Sequence, residues 1–260
     1  MPRAAPPGIM AQVATILLVL PTGTYRADAY LSAAAHLGVE VIVGSEAAQA
    51  LAASMGDRFV ELPLSDPRST ADAIVAHARR VHLDAVVSVD DEGLVGAALA
   101  AERLGLRHSP PAAVAATRDK AEMRRRFAGA GVPQPAFALA SPGTPREVER
   151  ETAELGPPVV VKPATLSGSR GVIRADSAEE AGAAARRIAV ILEEAGEPAG
   201  STLVVEKFLP GPEVAVEAIC TSGAVSIVAV FDKPDPLDGP YFEETFYVAP
   251  SRLGAELLGE

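Results

Sequence analysis

The sequence has one cysteine, no tryptophan, few aromatic residues of any kind and no excess of positive charge. Each shortage excludes something. With Cys220 alone, neither an internal disulfide nor a cysteine metal cluster can form, and a reducing cytoplasm is the expected setting. Cys220 ends an apolar run, 214–220, and is expected to be a buried core thiol. A formal net charge of −11 leaves no broad basic face, so neither nucleic acid nor an anionic membrane is an expected partner. Any anionic ligand must be held by local cations. The apolar run 13–20 is strand-sized, far short of the roughly 20 residues a bilayer span needs, and no small-residue cleavage site follows it. The four histidines, His36, His77, His82 and His108, form no H-E-x-x-H pattern or close pair, so all four are read as structural or surface residues.

What is present is 48% hydrophobic residues, dominated by small aliphatics, in a chain of 260 residues, enough for one or two α/β domains. Residues 1–12 are expected to be a disordered extension, with Met10 as an alternative start. Strand 13–20, a turn at Pro21-Thr22-Gly23-Thr24, a helix over 25–37 ended by Gly38 and a strand over 39–43 make a βαβ unit. Its first turn lacks G-x-G-x-x-G, and Glu46 is a weak stand-in for the ribose acid, so a dinucleotide site is not the reading adopted. The alternation continues with a strand at 59–62, a helix from about 69 to 81, a strand at 85–89 and a helix over 93–104. Asp90, Asp91 and Glu92 stand where open α/β sheets place ligands. Acids ahead of a helix also complement its dipole, and that simpler role is preferred. His108-Ser109-Pro110-Pro111 reads as the domain boundary.

The stretch 159–172, Val-Val-Val-Lys-Pro-Ala-Thr-Leu-Ser-Gly-Ser-Arg-Gly-Val, organises the rest. Three valines ending in a lysine predict a buried strand that delivers one cation to its end, followed by a loop of small residues. Such a loop lets backbone N–H groups close on phosphate oxygens, with Lys162 and Arg170 adding charge-assisted hydrogen bonds. It is not a P-loop, because the lysine precedes the glycines. Upstream, Asp119 and Glu122 predict a capping box, which puts Lys120 in the first helical turn, an unfavourable place for a cation and a hint of another use. Arg124, Arg125 and Arg126 are read as solvated helix charges. Downstream, Ser177 caps a long helix over 178–195. A strand at 203–206, a loop and a second strand through 214–220 then carry Glu206-Lys207-Phe208-Leu209, Gly211, Glu213 and Glu217. A strand over 225–231, a Pro/Gly/Asp loop and Tyr241-Phe242-Glu243-Glu244-Thr245 follow.

Together, three motifs in this order resemble the ATP-grasp superfamily of carboxylate–amine ligases. They are Asp119-Lys120 with Gly131-Val132-Pro133, Val161-Lys162-Pro163 with Ser167-Gly168-Ser169-Arg170-Gly171-Val172, and Glu206-Lys207-Phe208-Leu209 with Gly211 and Glu213. The resemblance implies an α/β fold: a Rossmann-like pre-ATP-grasp domain with a parallel sheet over 13–111, a first ATP-grasp lobe over 112–202, and the start of a second, truncated lobe over 203–260. It implies that Lys120 and Lys162 contact ATP phosphates and that the loop from Ser167 and Gly168 through Ser169 and Gly171 to Val172 closes over them, with Arg170 as the catalytic cation. Glu206, Lys207, Phe208 and Leu209 would be the hinge whose backbone reads adenine, and Glu213 would approach the ribose or a metal-bound phosphate. The loop looks closer to the amino-acid-ligase branch, in which Lys233 and Glu244 match substrate-side residues. The reaction so implied activates a carboxylate as an acyl phosphate with ATP and Mg2+ and joins it to an amine. Small-molecule carboxylate and amine are the expected partners, and a homodimer is compatible with the resemblance. The family's magnesium ligands, a Glu and a second Glu with an Asn, are expected beyond residue 260, so no metal ligands are assigned in this chain, which is expected to be inactive alone. The rivals are a nucleotide-binding module without turnover and a bicarbonate-using carboxylase or carbamoyl-phosphate type.

Overall fold

The computed structural model describes residues 13–47, 55–198, 201–243, 245–254 and 256. The expected extension over 1–12 lies outside them. The chain divides into two compact units, Met1–Arg118 and Asp119–Glu260.

The first unit is built on four parallel strands, β1 (Thr15–Val19), β2 (Glu40–Ser45), β3 (Phe59–Glu61) and β4 (Ala85–Ser88), in the order β3-β2-β1-β4. Leu17 of β1 stands beside Ile42 of β2 and Val86 of β4. Helices α1 (Ala27–Leu37), α2 (Pro67–His77), α3 (Leu94–Arg103) and α4 (Pro111–Thr117) supply the rest. A parallel sheet covered on both faces needs strands that are apolar throughout, and Leu17, Leu18 and Val19 are all buried. Alternation sends Leu17 and Val19 into one cluster with Leu62, Ile74, Ala97 and Ala100, and Leu18 into another with Leu20 and Val89. Where α2 and α3 meet, a Cβ on Gly96 would lie 2.6 Å from Thr70 Cγ2, so only glycine permits that approach.

Helix α2 begins two residues before the expected position because Asp66 caps it, accepting from the backbone N–H groups of Arg68 and Ser69, with Pro67 at the first helical position. It ends at His77, whose buried ring donates from Nε2 to Asp57 O (3.0 Å).

The second unit holds an antiparallel sheet of β5 (Phe137–Ala140), β6 (Val159–Pro163), β7 (Ile173–Ala175) and β8 (Leu203–Lys207), ordered β5-β8-β6-β7. Helices α5 (Lys120–Ala130), α6 (Pro145–Leu155) and α7 (Ala178–Glu194) accompany it. Ser177 Oγ caps α7 as expected, accepting from Glu180 N at 3.1 Å. Val159, Val161, Leu203 and Val205 point to one face and pack with Val148, Ala181, Ala185 and Ile188 of α6 and α7. Val204 points to the other, with Ala121 of α5 and Ala164. The two faces thus have different occupants.

A hairpin follows, β9 (Glu213–Thr221) with β10 (Ala224–Lys233), turning through Ser222 (φ 52°) and Gly223 (φ 83°). Positive φ at both central residues matches the twist of the flanking strands. Cys220 is exposed, as are Val216, Ile219, Val225 and Ile227. This corrects the expected core thiol: an apolar run of β-branched residues specifies a strand, but burial depends on what packs over it.

Ile188 is fully buried between α7 and the sheet. Ile188→Ala should destabilise the second unit by about 3 kcal/mol through lost transfer energy and a residual cavity. Urea denaturation followed by far-UV circular dichroism measures it.

Candidate functional site

Pleating along β6 sends Val159 and Val161 towards α6 and α7 and turns Lys162 to the opposite face; along β8 it does the same for Val204 and Glu206. Val160 pairs with Glu206 and Lys162 with Val204, so Lys162 and Glu206 are diagonal neighbours on one face. The Lys162 ammonium donates to Glu206 Oε1. Glu206 Oε2 accepts from Arg124 Nε at 2.9 Å and lies 2.8 Å from Arg124 Nη2. The three side chains keep only 15%, 9% and 14% of their exposure for Lys162, Glu206 and Arg124, so bulk water screens them little.

Arg124 is therefore not a solvated charge. Three consecutive arginines on α5 are spread by about 100° each around the helix, and only Arg124 turns inward. Arg125 and Arg126 stay exposed, 3.6 and 2.9 Å from Glu122. That pairing also replaces the expected capping box. Asp119 does cap α5, accepting from Ala121 N (2.8 Å) and Glu122 N (3.1 Å), but the Glu122 carboxylate bonds along the helix to the arginines.

Lys120 anchors the other end of the same region. Its backbone N–H donates to Ala164 O at 2.9 Å, and its ammonium to Leu166 O at 2.5 Å, the residue before the loop. The loop itself turns through Gly168 (φ 65°), Ser169 (φ 56°) and Gly171 (φ 73°), closed by Val172 N to Ser169 O at 3.1 Å. Ser167, Gly168 and Arg170 are exposed. A left-handed turn of small residues is a shape that backbone N–H groups use to surround an anion. Beside it lies a cavity of about 820 Å3 lined by Gly168, Arg170, Arg187, Tyr241 and Thr245, among others.

The expected hinge residues divide. Glu206 joins the cations, whereas Lys207, one step along β8, faces the other way and its ammonium donates to Gly156 O. The N–H groups of Lys207 and Phe208 bond to Ala136 O (2.9 Å) and Pro158 O (3.1 Å). The Phe208 ring lies under the Arg174 guanidinium at 4.4 Å and 6.5 Å from the Phe242 ring, while Leu209 is exposed. Glu213 and Lys233 face each other at the open end of the hairpin, and their side chains are ion-paired. Glu244 falls outside the described residues. Sequence reading missed Arg174 and Arg187, which stack on Phe208 and Tyr241; helix and strand position alone gave no sign of these aromatic partners.

In the first unit, a crevice of about 500 Å3 opens at the carboxyl ends of β1 and β4, where the strand order reverses. Asp90 lies 3.4 Å from Arg26, which also donates to Val89 O, and Asp91 is paired with Arg118. Two of the three acids are thus neutralised by arginines. Glu46 accepts from Thr22 N (2.9 Å) and Thr22 Oγ1 (2.5 Å), which ties down the turn after β1 and takes up the oxygen a ribose acid would offer. Burial pushes this carboxyl up, but the hydrogen bonds from Thr22 and Ser45 outweigh it and hold it below the usual glutamate range. A depressed value means stability that is complete above the unfolded-state value and lost as pH falls through the folded one. The melting temperature should therefore drop between about pH 5 and pH 3, and Glu46→Gln should shrink that drop, as a pH series of thermal melts would register.

The first unit is thus an α/β fold on a parallel sheet, and the second a cation-bearing antiparallel sheet with a small-residue loop. Residues 31–108 match the ATP-grasp N-terminal domain and residues 155–260 the ATP-grasp domain. The chain belongs to the ATP-grasp superfamily. It is 29% identical over 198 residues to the alanine–anticapsin ligase of Bacillus subtilis, covering 70% of this chain and 41% of that protein. It is 38% identical over 101 residues to the D-alanine–D-alanine ligase of Alcanivorax borkumensis, covering 39% of this chain and 28% of that one. The L-amino acid ligase from Bacillus licheniformis superposes with a TM-score of 0.74 at 25% identity, covering 94% of this chain and 58% of that structure. The chain thus spans less than two thirds of the length of each.

Proposed function

We propose that this chain binds ATP for a ligase that activates a carboxylate and joins it to an amine, with an amino acid as a substrate. The observation that carries the reading is that both lysines bracket the segment leading into the small-residue loop, Lys162 near the end of β6 with its ammonium on Glu206, and Lys120 with its ammonium on Leu166 O. Likeness to amino-acid ligases over most of the chain supports the substrate class.

When bound, ATP supplies the phosphoryl group that activates the carboxylate. Lys120, Lys162 and Arg170 would offset phosphate charge, Lys162 using the ammonium protons that Glu206 does not occupy. The loop from Ser167 to Val172 would cover the phosphates and keep water from the activated carboxylate. Phe208 and Leu209 would line the adenine side, with Glu213 at the ribose and Lys233 and Glu244 towards the substrate. A mixed apolar slot with a few polar groups suits a nucleotide base. Magnesium belongs to the same reading, although among the described residues no group of three His, Cys, Asp or Glu is placed to hold a metal. Among the same residues no helix is long and apolar enough to cross a membrane. The single cysteine accords with a cytoplasmic setting.

Calorimetric titration with ATP tests the first half. Lys162→Ala should weaken ATP binding at least about tenfold, the ~1.5 kcal/mol scale of a hydrogen bond to a charged group; unchanged affinity would remove Lys162 from the site. Phosphate release tests the second half: amino-acid-dependent release supports the ligase, bicarbonate-dependent release would transfer the protein to the carboxylase type, and ATP binding with no release under either substrate would favour the binding module without turnover.

A further inference from the structure

Glu206 poses an electrostatic problem for a phosphate site. It is an anion, nearly buried, in direct contact with the lysine that would meet the phosphates. A lysine closed on a carboxylate in a poorly solvated place forms a neutral pair, and a phosphate would have to compete with that carboxylate for the ammonium.

Arg124 changes the balance. Both its Nε and its Nη2 meet Glu206 Oε2, whereas Lys162 meets Oε1, so each cation has its own oxygen. One carboxylate between two cations leaves a net charge of about +1 on the cluster. The guanidinium takes the carboxylate in a fixed planar fork on the α5 side, while Lys162 keeps two of its three N–H bonds for another partner. Helix α5 is itself held there, since Gln134 Nε2 donates to Arg124 O at 2.9 Å and Lys120 N donates to Ala164 O.

We infer that Arg124 is a positioning residue of the phosphate site: it neutralises Glu206 from behind, so that Lys162 is held in place by the carboxylate yet remains electrostatically available to a polyphosphate. This rests on the nucleotide-binding reading above. It requires that Arg124 act through Glu206 and Lys162 and touch no part of the ligand. Its influence should therefore vanish when Glu206 loses its charge, and it should be felt by phosphates and not by the nucleoside.

The test is a thermodynamic cycle over R124Q, E206Q and the double variant, titrated calorimetrically with ATP and with adenosine. R124Q should lose about tenfold in ATP affinity while adenosine affinity stays within about twofold. R124K, which keeps the charge, should recover most of the ATP affinity. In the E206Q background, adding R124Q should cost ATP binding less than about twofold. That last comparison contains no unpaired buried carboxylate, so it holds the inference to account even if R124Q alone does not fold. Equal loss of ATP and adenosine in R124Q, or the same tenfold loss with and without the Glu206 charge, would overturn the inference while leaving the nucleotide reading intact. If the unsubstituted chain binds no ATP, the nucleotide reading falls and this inference with it.

Discussion

A carboxylate buried between two cations is the constraint on which the second unit depends. Glu206 can sit at the end of β8 only because Lys162 arrives from β6 and Arg124 from α5. Removing either partner would leave charge uncompensated in a place that water barely reaches, a costlier arrangement than having no charges there. The requirement couples three elements distant in sequence. It fixes the register of β6 against β8, the rotation of α5 about its axis, and the face on which the lysine presents its ammonium.

The same sheet shows how one pleat separates stability from chemistry. Val159, Val161, Leu203 and Val205 form a dry layer with α6 and α7, and Ile188 fills its centre. Their neighbours at alternate positions, Lys162 and Glu206, turn to the opposite side with Val204. The rigid layer holds the charged face, and the loop after Pro163 starts from that fixed strand end. In the first unit the division is by position along the strand: the apolar strands β1, β2 and β4 make the core, and polar groups gather at their carboxyl ends, where Arg26 and Arg118 take up Asp90 and Asp91.

Much of this could be read from residue order. The parallel first sheet follows from unbroken apolar strands alternating with helices, and the strand–lysine–small-loop pattern of 159–172 marks the second. Where reading failed, the cause was a competing interaction invisible in local sequence. Glu122 has the spacing of a capping box yet bonds to Arg125 and Arg126, because α5 places all three on its solvent side. Cys220 sits in a largely apolar run, yet the hairpin leaves it exposed. Arg174 and Arg187 look like surface cations until Phe208 and Tyr241 are found beneath them.

What the sequence determined by itself was local: which segments are strands or helices, where Ser177 starts a helix, and that a lysine stands before a loop of small residues. Those outcomes depend on periodicity, capping and backbone freedom, all set within a few residues. The tertiary structure alone decided which charges meet. Three adjacent arginines have nearly identical local surroundings, and only the rotation of α5 against the sheet, set by Ala121 packing near Val204 and Ala164, selected Arg124 to share a buried carboxylate with Lys162. Electrostatic strength depends on distance and burial, and neither exists until the chain has folded.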